Sequence, residues 1–378
     1  MLWSDEPLSD PLALGPEADR LGRGDEAARL ARTLCTRMGS GDSSSFVLAI
    51  NGPWGSGKTT FGRYLAHHLR DLGSKGLPAG KRRRDLAVLK CDLWLDSSRG
   101  RTLKDLLSTL SRHAGSGDLD LQDQSRGFSE VLLTALVRAE LPEKAPREET
   151  AAVLLDKRTV AETLRNSKQQ LVLFLDDIDR FTRDELRTFL WLLKTVADLP
   201  LVYFVIMWDG PLVGRMVGKD FPGRGEDYVA RIVDATYDLR RPASETILAI
   251  FGEYVGCATE AAFAEVLREV WQAGLGQLLA TLRQAKRLAN AVHVRREAGG
   301  CTDMRLLLAL EGLRVLEPTV FDRLRRRREA FLAGTWDWDP AVNRHVASEN
   351  RQAVRELLTL ARRATLTYDG RREALAYL

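Results

Sequence analysis

Between Gly52 and Thr60 the sequence reads Gly52-Pro53-Trp54-Gly55-Ser56-Gly57-Lys58-Thr59-Thr60, which satisfies G-x-x-x-x-G-K-[ST]. An apolar run, Phe46 to Asn51, precedes it, and a helix-compatible segment follows. Those residue types at that spacing suit a polyphosphate. Several backbone N–H donors must converge on its oxygens, and Gly52, Gly55 and Gly57 let the chain curl around them without a side-chain clash. Lys58 is placed to reach the β and γ phosphates, and Thr59 offers its hydroxyl to Mg²⁺. A helix starting near Lys58 points its positive dipole end at the anion. A chance match would be a bare Gly-rich turn, but the strand before and helix after favour the phosphate-binding loop.

A second chemical stretch is Gln170 to Arg180, QLVLFLDDIDR. Leu171 to Leu175 form a continuous apolar run too short for a helix and suited to a central strand buried on both faces. Asp176 and Asp177 then fall at the C-terminal end of that strand, where open parallel sheets bind ligands. Asp176 is the candidate Walker B residue that holds Mg²⁺ through water, and Asp177 the carboxylate that orients an attacking water. Asp209 ends another apolar strand, Leu201 to Trp208, and is the candidate sensor of the γ-phosphate. In Leu282 to Asn290, Arg283 and Lys286 share one helix face with Arg287 a turn after Arg283. That face could reach the γ-phosphate or be a solvated basic surface. The runs Lys81 to Arg84 and Arg323 to Arg328 suit solvated segments better than a nucleic-acid patch.

The 378 residues allow two or three domains, and 44% hydrophobic with 29% charged residues is a soluble globular composition. No apolar run approaches the roughly 20 residues of a membrane-spanning helix. The N-terminal MLWSDEPLSDP has acidic residues where an export signal has basic ones, so a cytoplasmic location is expected. Cys35, Cys91, Cys257 and Cys301 show no paired spacing, which disfavours a zinc site or disulfide framework. A net charge of +4 does not by itself imply nucleic acid.

The elements that must position these residues alternate β and α as far as a short strand at Ala235 to Leu239, and are helical thereafter. The expected layout is a poorly ordered lead-in at 1–19, an α/β core at 20–240 with a helical insertion at about 101–167, and a helical domain at 241–378. Helices are expected at Asp25–Met38, Thr60–Leu72, Asp184–Asp198, Gly276–Glu297 and Pro318–Phe331, among others.

Taken together, INGPWGSGKTT, LVLFLDDIDR, the strand ending in Trp208-Asp209 and TLRQAKRLAN resemble the KAP family of P-loop NTPases. The tryptophan within the loop and the D-D-hydrophobic-D-R string carry the likeness, supported by Leu21-Gly22 before an Ala-rich helix and by MRLLLALEGLRVLEPTVFDRL. The resemblance spans about residues 20 to 335. It implies an additional-strand ATPase core, with the Walker B strand beside the phosphate-loop strand, and a helical C-terminal region. It also implies that Arg283 approaches the γ-phosphate and that Arg231, in GEDYVARIV, is an arginine finger acting on a neighbouring subunit of a homo-oligomer. Many members carry transmembrane helices between the Walker motifs, whereas this sequence has only the helices expected at 101–167. Bacterial members without them, several in anti-phage defence systems with partner proteins encoded nearby, are the nearer comparison.

The function expected is Mg²⁺-dependent ATP binding and hydrolysis used as a switch or assembly motor. Alternatives are a nucleic-acid-binding module whose assembly depends on nucleotide, and a P-loop kinase, against which the paired Asp176-Asp177 argues. No N-K-x-D string for guanine occurs, so ATP is preferred over GTP.

Overall fold

The computed structural model describes residues 3, 19–40, 44–75, 85–92, 165, 169–196, 199–219, 224–256, 261–298, 303–335, 345–366 and 368–378. Except for Arg165, the helical insertion expected at 101–167 lies outside the described residues, as does the basic run Lys81 to Arg84. The chain divides into two compact units, Pro7–Leu239 and a second made of Arg240–Leu378 with Met1–Glu6.

In the first unit a five-stranded parallel sheet runs in the order β2-β3-β4-β1-β5. Its strands are β1 (Phe46–Asn51), β2 (Asp85–Asp92), β3 (Gln169–Asp176), β4 (Val202–Trp208) and β5 (Ala235–Asp238). The helices are α1 (Arg23–Gly39), α2 (Lys58–Ser74), α3 (Arg183–Val196), α4 (Gly210–Gly218) and α5 (Gly225–Ala230). Alternation along β1 divides its side chains between two cores. Leu48 and Ile50 pack with Ala27, Ala31, Phe61, Leu65 and Leu69 of α1 and α2. Val47 and Ala49 pack with Leu186, Leu190, Leu193 and Val213 of α3 and α4. Helices therefore cover both faces, which is why the strands are continuously apolar. Cys35 lies in the first core as a buried thiol, and burial pushes its pKa up to about 11.

The strand order corrects one expectation. β3, which ends in Asp176, does not pair with β1; β4 lies between them and pairs with both, Phe204 aligning with Leu173 and with Val47. All seven residues of β4 are buried, so it can occupy the centre of the sheet. Sequence order gives no spatial order here, because each helical crossover can skip a neighbour.

The second unit is helical: α6 (Ser244–Val255), α7 (Ala261–Val270), α8 (Leu282–Glu297), α9 (Met304–Leu316), α10 (Pro318–Arg326), α11 (Arg328–Ala333), α12 (Arg351–Ala364) and α13 (Tyr368–Tyr377). A single helix over Gly276–Glu297 is not what forms. A π-type turn, Trp271–Leu275, contains Gly274 at φ 123°, and the short helix Gly276–Leu278 stops before Thr281. Thr281 then starts α8 with a reciprocal cap, its hydroxyl accepting from Gln284 N while Gln284 Oε1 accepts from Thr281 N. The helix expected over Pro318–Phe331 is likewise divided, at Arg327, whose φ of −118° is not helical.

Within this unit Trp3 contacts both α6 and α8. Trp3 N–H donates to Asn290 Oδ1 (2.7 Å), Asn290 Nδ2 donates back to Trp3 O (2.9 Å), and the indole N–H donates to Tyr254 O (3.1 Å). The two aromatic rings lie 4.5 Å apart. An indole combines a large apolar face with one donor, so a single residue both packs and bonds.

Candidate phosphate-binding site

Leaving β1, the chain turns at Gly52, whose N–H donates to Trp208 O of the adjacent strand (3.1 Å). A Cβ at Gly52 would collide with Ser56 Oγ. Gly55 and Gly57 have φ of 81° and 91°, left-handed values that L side chains rarely adopt. Gly57 is the residue before α2 and supplies no side-chain cap, so the first helical turn opens onto the loop. Ser56 Oγ, buried within the loop, has no hydrogen-bond partner among the described residues. Trp54, by contrast, is 52% exposed at the loop's tip.

β3 brings its carboxylates to the same edge of the sheet. Thr59 Oγ1 donates to Asp176 Oδ2 at 2.7 Å, joining positions 117 apart in sequence, and Asp176 Oδ1 accepts from Asp177 N (2.9 Å). Asp177 sits at φ 62°, a left-handed conformation that Asp tolerates better than most residues because its short side chain can bond locally. From there a 3₁₀ turn, Ile178–Arg180, places two further charges. Asp179 Oδ2 lies 3.2 Å from Lys58 Nζ, and Arg180 Nε lies 2.9 Å from Asp177 Oδ1. The Arg180 guanidinium also stacks over the Trp54 ring, 5.0 Å from its centre. Lys58 Nζ donates in addition to Gly52 O (2.8 Å).

Asp209 follows β4 and caps α4, its Oδ1 accepting from Leu212 N (3.0 Å). Because β4 separates β1 from β3, this carboxylate stands at the strand end between the loop and Asp176. Arg231 does not join this group. It is exposed at the end of α5, ahead of β5, and the neighbouring Asp234 bonds Val47 at the start of β1, the opposite end of that strand from the loop. Arg283 lies in the other unit, in the first turn of α8, which buries Ala285, Leu288, Ala289 and Val292.

Sequence reasoning assigned no role to Asp179, Arg180 or Asn51. The string Asp176-Asp177-Ile178-Asp179-Arg180 held a signal, since a short turn after a strand returns the third acid and the base towards the strand end. Asn51 had none, as a polar residue closing an apolar strand is commonplace. In the fold Asn51 Oδ1 accepts from Trp208 Nε1 (2.6 Å) and Asn51 Nδ2 donates to Asp238 Oδ1 (3.1 Å), tying together the ends of β4, β1 and β5.

The KAP family P-loop domain matches residues 23–298. The chain belongs to the KAP family. No curated protein matches it. Among solved structures it is similar to the ORC2 protein of Aeropyrum pernix in ADPNP-ADP complexes, at 12% identity over 91% of this chain and 94% of that one, with a TM-score of 0.38. It is similar also to a Walker-type ATPase of Pyrococcus abyssi, at 14% identity over 90% and 89%, TM-score 0.38. The RuvB Holliday junction branch migration motor of Thermotoga maritima shows 13% identity over 93% and 89%, TM-score 0.36. In this KAP chain, no helix of the described residues is long and apolar enough to cross a membrane.

Proposed function

We propose that this chain binds ATP with Mg²⁺ and hydrolyses it, using the cycle as a conformational switch or assembly motor for partner proteins, in the manner of an anti-phage defence complex. The observation that carries this is the 2.7 Å bond from Thr59 to Asp176, which unites the glycine loop and the acidic strand end in one site. The residues fit the groups invoked. Among the described residues Ser56 Oγ has no hydrogen-bond partner, and α2 starts at Lys58 with no side-chain cap, as a phosphate cradle requires. Thr59 and Asp176 would hold the divalent ion, whose part when bound is to neutralise charge on the phosphate oxygens. Lys58 would bind the β and γ phosphates, Asp177 would orient the attacking water, and Asp209 would sense the γ-phosphate.

Asp177→Asn tests the assignment without confounding the backbone, because Asn also tolerates the left-handed conformation. The variant is expected to bind nucleotide like the native protein while phosphate release falls by on the order of 10²-fold or more. Native turnover in Asp177→Asn would overturn the role of this carboxylate.

A further inference from the structure

Lys58 is a cation already in demand. An ammonium has three N–H donors, and Lys58 Nζ has three acceptors in range: Gly52 O at 2.8 Å, Asp179 Oδ2 at 3.2 Å and Pro53 O at 3.4 Å. A phosphate oxygen reaching Lys58 must therefore displace one of them. The two carbonyls belong to the loop backbone, which is pinned by Gly52 N to Trp208 O and by Ser56 N to Pro53 O, both 3.1 Å. Asp179 is the acceptor that shares the ligand's charge.

We propose that Asp179 is a counter-anion that competes with polyphosphate for Lys58, and thereby sets the affinity of the site. This rests on the nucleotide-binding function proposed above and adds a residue to it. The pair is sheltered, with the Lys58 and Asp179 side chains 9% and 6% exposed, so solvent does not screen it as it screens surface pairs. Asp179 is also held in place. Ile178 beside it is fully buried, and the turn is closed by Arg180 N to Asp177 O and Phe181 N to Ile178 O, both 3.1 Å. The other two acids of the string have different partners: Asp176 accepts from Thr59 and from Asp177 N, and Asp177 pairs with Arg180. A carboxylate fixed beside the loop's cation opposes an arriving anion twice, by occupying the donor and by like-charge repulsion.

Asp179 acts through Lys58, so the decisive readout is affinity for polyphosphate. Isothermal titration with ADP and Mg²⁺, and separately with inorganic tripolyphosphate, would compare the native chain with Asp179→Asn, Asp179→Ala and Asp179→Glu. Asn is nearly isosteric and retains an oxygen for Lys58, so that variant should fold; Ala removes the acceptor altogether. Both neutral variants are expected to bind both probes on the order of tenfold tighter, about 1.4 kcal/mol, whereas Asp179→Glu stays near native. Binding by the neutral variants where the native chain shows none would support the proposal equally. Unchanged or weaker binding in the neutral variants, with the native chain binding, would overturn the competition and leave nucleotide binding standing. If none of the four proteins binds either probe, nucleotide binding itself fails and the role of Asp179 fails with it.

Discussion

Lys58 and Thr59 open α2 while Asp176 closes β3 with Asp177 directly after it, and the four side chains divide into separate tasks. Thr59 and Asp176 share a proton donor–acceptor pair, Lys58 spans the loop carbonyls and Asp179, and Asp177 turns towards Arg180. Lys58→Ala removes the ammonium but leaves Gly55 and Gly57 to shape the loop, so nucleotide binding should be lost while the chain stays folded. It also leaves Asp179 as a buried carboxylate deprived of its cation, which costs stability. Equilibrium dialysis with labelled ATP checks the first effect, and a melting curve the second; native binding by Lys58→Ala would refute the phosphate role. Asp176 offers a contrast to Asp177, for its carboxylate bonds both Thr59 and the next N–H, so neutralising it should weaken the metal-dependent complex and not only the chemistry.

At the scale of elements, what could be read from sequence was what local spacing determines. The glycine loop between strand and helix is local in both directions, and β1 appears at its expected bounds, Phe46–Asn51. The acid pair at the end of β3 was legible because five apolar residues leave few alternatives to a buried strand. Strand order was not legible, since nothing within β4 says which strands it will separate. Neither was the break before α8, because Leu278 to Leu282 is apolar enough to continue a helix and only the Thr281–Gln284 pairing shows where a new one starts. That cap makes a prediction. Thr281 is buried and its hydroxyl accepts from Gln284 N, so Thr281→Ala should lower stability by about 1 kcal/mol without altering the loop in the other unit. Chemical denaturation should show the shift; no change would mean that packing alone starts α8.

For the whole molecule, the question is where a second cation for phosphoryl transfer could come from. Charge builds on the γ-phosphate oxygens during transfer, and an arginine supplied to them can contribute on the order of 10³ to 10⁵ in rate. Lys58 is engaged with the loop, and Arg180 is engaged with Asp177 and the Trp54 ring. Arg231 stands exposed near the end of β1 opposite its own chain's loop, so any part it plays at a γ-phosphate would have to be at another copy's site. The test is for a homo-oligomer in which one chain's Arg231 reaches the γ-phosphate at the next chain's loop. Specific ATPase activity is then expected to rise with protein concentration. Arg231→Ala and Lys58→Ala, each inactive alone, should regain part of the activity when mixed, because a pair of chains can combine the intact loop of the first with the intact arginine of the second. Turnover independent of concentration, together with no recovery in the mixture, would remove Arg231 from the reaction.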